Sequence, residues 1–204
     1  MAPSFKLTYF DVRGRGEAIR FILHQAGVEF EDNRISKDQW GTIKPTTPFG
    51  KVPILEEDGK QVTQSLAIER YLARKFKLTG KDEWEALECD VAAETLGDLH
   101  TQVVQAFFNP DASKKDELKG TIIKDQAPFY LGKFDEQVKK NGGFLVGGHL
   151  TWADLHFVAT LQVSCDMLGS DIVESHANLK THRDMVLNLP NIKAWVAKRP
   201  TTPF

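Results

Sequence analysis

Tyr9 is the first residue of the chain placed where a side chain could act on a ligand. Thr8-Tyr9-Phe10 closes an alternating apolar and polar run that starts at Phe5, the pattern of a short strand, and Arg13-Gly14-Arg15 follows at once. Ligands of open α/β sheets bind beyond strand ends. A phenol there has a proton to donate to an anion, but it is equally a half-buried packing aromatic, and the residue type leaves both readings open. The run Pro48-Phe49-Gly50-Lys51-Val52-Pro53-Ile54-Leu55 says more. A proline at the start of a strand is tolerated at an edge or a special turn. A cis Val52–Pro53 bond would turn the backbone N–H and C=O of Val52 toward a ligand; a trans bond would simply start the strand. Gln64-Ser65 then opens a helical pattern. Ser65 is a natural N-cap, and the same position offers free N–H groups and the positive end of a helix dipole to a carboxylate.

Other chemistries are absent. There is no His-Glu-x-x-His, no phosphate-binding G-x-x-x-x-G-K and no G-x-S-x-G. The six histidines show no metal-ligand spacing. Gly14-Arg15-Gly16 lacks the third glycine of a dinucleotide loop, since position 19 is Ile. Cys89 and Cys165 form no C-x-x-C pair, so a disulfide framework is not expected. The 26 basic and 28 acidic side chains leave a formal charge of −2, without the basic excess that nucleic-acid binding needs. No leader pattern and no apolar run of membrane-spanning length stands out. A cytoplasmic protein that binds neither membrane nor nucleic acid is the expectation.

The elements that must position these residues read as mixed α/β, then all-α. Strand Phe5–Phe10 is followed by a glycine turn and a helix from Glu17 to Ala26, with apolar residues at helical spacing and Gly27 as a C-cap. Val28–Ile35 reads as a second strand and Ser36–Lys44 as a loop or short helix. Val52–Glu56 and Lys60–Thr63 flank Asp58-Gly59 as a hairpin, and Ser65–Lys75 is a helix. Leu78–Asp82 looks like a linker. Beyond it, Trp84, Leu87, Val91, Leu96, Leu99 and Val103 mark a long amphipathic helix. Leu118–Val138 predicts another, which Pro128 should kink or interrupt. Thr151–Leu168 is apolar nearly all round, as a central buried helix is, and Thr151-Trp152-Ala153-Asp154 has a capping-box shape with Asp for Glu. Leu179–Leu189 and Ile192–Lys198 are the last helices, with Pro190 between them.

Taken together, Tyr9-Phe10, Arg13-Gly14-Arg15, Pro48 to Leu55 and Gln64-Ser65-Leu66-Ala67-Ile68 resemble the cytosolic glutathione transferases. The pattern is most similar to the sigma class with its nematode, insect and prostaglandin-D-synthase-like relatives. Leu150-Thr151-Trp152-Ala153-Asp154 extends the resemblance through the family's C-terminal capping box. It implies a thioredoxin-like domain over 1–78, a linker at 79–82 and an all-helical domain over 83–204. It also implies a homodimer, with glutathione as co-substrate and no separate cofactor.

On that resemblance Tyr9 donates to the glutathione sulfur, with Arg15 adding positive potential. Gln64 and Ser65 hold the γ-glutamyl carboxylate, and Val52 before Pro53 pairs with the cysteinyl backbone. Trp40, Lys44 and Lys51 take the glycyl carboxylate, and an Asp98 from the partner takes the ammonium. The expected electrophile pocket is Phe10, Val12, Gly14, Gln105, His156 and Phe204. The expected activity is conjugation of glutathione to small hydrophobic electrophiles, with organic hydroperoxide reduction beside it. A non-catalytic or crystallin-like binder of haem or another apolar ligand, and a prostaglandin-D-synthase-type isomerase, are the alternatives. Prostaglandin-synthase relatives carry acidic pairs that bind a divalent ion. Here Glu94-Thr95-Leu96-Gly97-Asp98 has Gly97 in place of one acid, so no metal is expected, and Gln105 stands where those relatives place an aromatic residue. A thiol–disulfide oxidoreductase would need a cysteine near Tyr9 to Arg13, and none is there.

Overall fold

A computed structural model describes residues 4–204. Strand β1 (Phe5–Phe10), helix α1 (Glu17–Gln25) and strand β2 (Phe30–Ile35) form a crossover with β1 and β2 parallel. Helix α2 (Lys37–Ile43) follows, then the hairpin β3 (Ile54–Glu57) and β4 (Lys60–Thr63), then α3 (Ser65–Lys75). The sheet order is β2-β1-β3-β4, with β3 antiparallel to both neighbours. This is the thioredoxin-like layout the sequence implies.

The helical half comprises α4 (Glu83–Phe107), α5 (Ala112–Thr121), α6 (Ala127–Lys140), α7 (Trp152–Leu168), α8 (Ala177–Leu187) and α9 (Pro190–Lys198). Asp82 caps α4 by accepting the Trp84 and Glu85 N–H groups, each at 2.9 Å.

Several elements differ from the sequence reading: β3 begins at Ile54 and not Val52, and α8 runs Ala177–Leu187 and not Leu179–Leu189. β2 starts at Phe30, because the Val28 N–H still turns back to the Leu23 carbonyl. Pro190 is not a break between the last helices but the first residue of α9, where its missing N–H costs nothing. The helix read from Leu118 begins earlier, at Ala112, under an Asp111 cap. It passes through a wide π turn at Ile122–Gln126 just before Pro128. That turn spreads the backbone where the proline ring would strike the preceding turn of a tight helix.

One apolar cluster joins the two halves. Phe5 and Leu7 of β1 face Ile19, Ile22 and Leu23 of α1 and Leu72 of α3, and the cluster continues into α7 through Leu155 and Val158. Leu7 is fully buried, worth about 2 kcal/mol relative to exposure. The polar seams are as specific. The buried Glu17 carboxylate accepts from Trp195 Nε1 at 2.9 Å and Arg199 Nη1 at 2.8 Å, tying α1 to α9. The Trp152 N–H donates to the Leu78 carbonyl at 2.8 Å. Asp154 fills the capping-box position, accepting the Thr151 N–H at 2.8 Å, the Leu145 N–H at 2.9 Å and His182 Nε2 at 2.8 Å.

Candidate active site

Strand register brings the sequence motifs to one end of the sheet. Thr8 pairs with Ile54, and Ile54 pairs with Thr63. Tyr9, the Val52–Pro53 peptide and Gln64 therefore all lie one step beyond those pairs, on the same side. β2 ends at Ile35 opposite Phe10, which delivers Ser36 and α2 to that edge as well. Ser36 and Gln39 form a capping box that starts α2 and orients Trp40, whose ring meets Phe10 edge-on at 5.2 Å.

Tyr9 is held by what surrounds it. It is 9% exposed. A Cβ on Gly14 would lie 2.8 Å from its hydroxyl oxygen, and one on Gly16 would lie 2.7 Å from Cδ1. Only glycine at both positions lets the turn close over the ring. The hydroxyl accepts the Arg15 N–H at 3.1 Å, so its own proton remains free to donate. Burial pushes the phenol pKa up, against the opposing pull of the Arg15 N–H and the Arg15 and Arg20 charges. At neutral pH the group is a donor and not a base. The turn is fastened from below: Arg20 is fully buried, and its Nη1 donates to the carbonyls of Val12 at 3.0 Å and Arg13 at 3.4 Å while Nε pairs with Asp32 at 3.0 Å.

The Val52–Pro53 bond is cis. Gln64, not Ser65, occupies the N-cap position of α3, with φ 74° and no side-chain cap hydrogen bond. Ser65 is the first helical residue, so its expected N-cap role does not hold. The reason is geometric: the left-handed Gln64 already makes the turn into the helix. With no acidic residue in the first turn, the N–H groups of that turn and the dipole face outward unopposed. Among the described residues, Arg15, Lys44 and Lys51 have no acidic partner. Lys44 runs alongside Gly50, and Lys51 is exposed.

Two cavities flank the Gly14-Arg15 turn. The larger, about 560 Å³, lies against Tyr9, Phe10, Val12, Gly14 and Arg15. Its far wall is His100, Val104 and Phe107 of α4, Phe108 just past the end of that helix and Met167 of α7, and Phe204 closes it. Phe204 is pinned there: the Arg13 N–H donates to its backbone oxygen at 2.8 Å, and its ring meets Phe107 edge-on at 5.2 Å. The smaller cavity, about 240 Å³, lies between Arg15, Ser65 and Asp98.

Two expected pocket residues are not in the larger cavity. Gln105 is exposed; the face of α4 turned to the cleft carries Val104 and Phe107, and Gln105 is rotated off it. His156 borders the smaller cavity, drawn toward α3 by a 2.7 Å contact between its Nδ1 and Glu69. The residues that sequence reasoning missed are His100, Val104, Phe107, Phe108 and Met167. The Phe107-Phe108 doublet at the end of the amphipathic run was the one available signal. Asp98 is exposed and borders the smaller cavity of its own chain. No cluster of three metal-ligating side chains and no helix long and apolar enough to cross a membrane occurs among the described residues.

Residues 5–74 match the family described as glutathione S-transferase, N-terminal domain, and residues 97–199 match glutathione S-transferase, C-terminal domain. The chain is 41% identical to glutathione S-transferase 1 of Ascaris suum, covering 99% of this chain and 100% of that one. It is 38% identical to a glutathione S-transferase of Anopheles gambiae over 98% of each. Among solved structures, the prostaglandin synthase D of Nilaparvata lugens superposes with a TM-score of 0.93 at 45% identity, over 98% of this chain and 100% of that chain.

Proposed function

Because the chain belongs to the glutathione S-transferase family, we propose that it conjugates the glutathione thiolate to small hydrophobic electrophiles, with Tyr9 activating the sulfur. The observation that carries this is the Tyr9 hydroxyl, which accepts the Arg15 N–H and keeps its own proton for a ligand at the sheet end. A free thiol ionises near pKa ~8.5, so little thiolate exists at neutral pH. A donated hydrogen bond favours the charged form, and Arg15 adds positive potential beside it. The sulfur lone pair then attacks the electrophilic carbon. A C–S bond forms, and the leaving group departs with its electron pair or, at an activated alkene, the carbanion takes up a proton. In the reduction of organic hydroperoxides the same thiolate attacks the terminal oxygen, the O–O bond breaks to release the alcohol, and a second glutathione converts the resulting sulfenic acid to the disulfide and water.

The glutathione backbone would run along the Val52–Pro53 edge. Its γ-glutamyl carboxylate would sit on Gln64-Ser65 at the start of α3, and its glycyl carboxylate near Trp40, Lys44 and Lys51. The unpaired cations and the open helix start support this charge pattern. The apolar cavity beside Tyr9 would hold the electrophile. We assign the chain to the sigma-like class and to the cytoplasm. We expect it to work as a homodimer in which the partner's Asp98 takes the glutathione ammonium. Phe49, 76% exposed, and the outer face of α4 with Trp84, Leu87 and Val91 are apolar surfaces suited to a second copy.

Retention on glutathione-agarose together with turnover of chlorodinitrobenzene tests the reading. Retention without turnover of any electrophile would instead support a binding protein. The name of the Nilaparvata lugens neighbour makes prostaglandin isomerisation the second reading, which product analysis with a prostaglandin precursor decides.

A further inference from the structure

His100 stands where the two cavities meet, bordering both the cleft beside Tyr9 and the smaller cavity behind Arg15. It is 7% exposed, and the little surface it keeps borders those cavities. Its tautomer follows from its neighbour. The Ser164 hydroxyl lies 3.0 Å from the Thr160 carbonyl oxygen, the bond a helical serine makes to the preceding turn. A carbonyl only accepts, so the one arrangement that makes hydrogen bonds of both serine contacts puts the serine proton on that carbonyl. The 2.9 Å contact between Ser164 Oγ and His100 Nδ1 therefore has Nδ1–H as the donor. Burial, aided by the Arg15 and His156 charges, lowers the imidazole pKa to about 4. The ring is neutral at physiological pH, and its proton is on Nδ1. Nε2 is left with a lone pair, makes no hydrogen bond among the described residues, and is not one of the fully enclosed polar atoms, so a ligand can reach it.

We infer that His100 is a specificity-determining residue: its Nε2 is a fixed acceptor that selects electrophiles carrying a hydroxyl or N–H donor over isosteres that lack one. The neighbouring α4 wall, Val104 and Phe107, offers such a group nothing. A wholly apolar electrophile pressed against His100 strips water from Nε2 and returns no hydrogen bond, which is penalised. A donor on the electrophile removes that penalty. Sites that hydrogen-bond one polar group of a substrate discriminate strongly against analogues without it. The inference rests on the transferase reading above and adds a substrate class to it.

The test uses matched benzyl chlorides: the ortho-, meta- and para-hydroxymethyl compounds and their methyl ethers. In each, the glutathione sulfur forms a bond to the benzylic carbon and chloride leaves, so the chemistry is common to all. An ether oxygen accepts but cannot donate, so each pair separates an accepting Nε2 from a donating one. After division by the uncatalysed rates, kcat/KM of the wild-type protein should favour the alcohol on the order of tenfold for at least one isomer, chiefly through KM. His100→Phe should bring that ratio to about one. His100→Gln, with an amide oxygen near the position of Nε2, should restore part of it. Equal ratios in wild type and His100→Phe for all three isomers would overturn the inference while leaving the transferase reading intact. Failure to conjugate any of the six compounds while chlorodinitrobenzene is turned over would overturn the inference alone, and failure with chlorodinitrobenzene as well would sink both. Long-range 1H–15N correlation spectra of the wild-type protein give a check that does not depend on a variant folding. Nδ1 should carry the proton, and a proton on Nε2 would overturn the assignment.

Discussion

Replacing Gly14 by alanine should disable the tyrosine without touching it. The new methyl would stand 2.8 Å from the Tyr9 hydroxyl oxygen and 3.1 Å from Cε1, well inside the contact distance of about 3.5 Å. It would also sit on a backbone with φ +38°, where a side chain costs about 1–2 kcal/mol. The ring has little room: it is 9% exposed, and the Gly16 backbone already lies against the same Cδ1–Cε1 edge. Either the turn opens or the hydroxyl moves by a sizeable fraction of an ångström. A catalytic group misplaced by about 1 Å loses on the order of 10²-fold in rate. With chlorodinitrobenzene as electrophile, kcat should fall by about that factor while the KM for glutathione stays roughly constant. The Tm should drop by several degrees, since about 1 kcal/mol moves a chain of this size by ~2–4 °C. A double-mutant cycle separates the two causes. In a Tyr9→Phe background the 2.8 Å contact no longer exists, so the stability cost of Gly14→Ala should shrink toward its backbone part. Gly14→Ala with wild-type turnover would refute the claim that this turn holds the hydroxyl in its working position.

Arg20→Met should destabilise the fold by about 1.5–3 kcal/mol in a denaturant titration, because it removes the charged hydrogen bonds to Glu17 and Asp32, which keep Arg199 and Arg34 as their remaining countercharges, and frees the buried Val12 carbonyl; a loss under 1 kcal/mol would contradict this. Asp154→Ala should cost a similar amount by the same titration, since it strands His182 and two backbone N–H groups. The pH dependence of stability should carry a His100 contribution. The unfolded histidine takes its proton near 6.5 and the folded one only at about 4. Stability from this residue is therefore full above pH 6.5 and falls as pH drops toward 4, by about 3 kcal/mol in all. His100→Phe should flatten the stability curve between those pH values, and an unchanged slope would rule the contribution out.

What could be read in the sequence was local. The alternation in β1, the Asp58-Gly59 hairpin and the run of α1 each follow from a few neighbouring residues, and so does the capping-box shape at Thr151. The motifs at Tyr9, Pro53 and Gln64 could be found, and register then put them at one sheet end. What could not be read depends on which way a helix faces. Helix α4 is apolar over so wide an arc that sequence could not choose between Gln105 and Val104; packing against α7 makes that choice. His156 lies on a helix buried nearly all round, so only the Glu69 carboxylate on α3 reveals its direction. Helix α5 has no buried residue and hence no periodicity to detect. His100 was invisible as a functional group because its significance lies in the hydroxyl of Ser164, 64 positions away.

The central claim is that Tyr9 lowers the pKa of a bound thiol by donating to its sulfur. Ultraviolet titration of the thiolate in the glutathione complex measures this directly, for the wild-type protein and for Tyr9→Phe. A hydrogen bond to a charged group contributes about 1.5–3 kcal/mol, or about 1–2 pH units. The wild-type complex should titrate clearly below ~8.5, and Tyr9→Phe should move that value up by the stated amount with little change in glutathione affinity. An unchanged thiol pKa in Tyr9→Phe would contradict the account and leave Arg15 as the group that activates the sulfur.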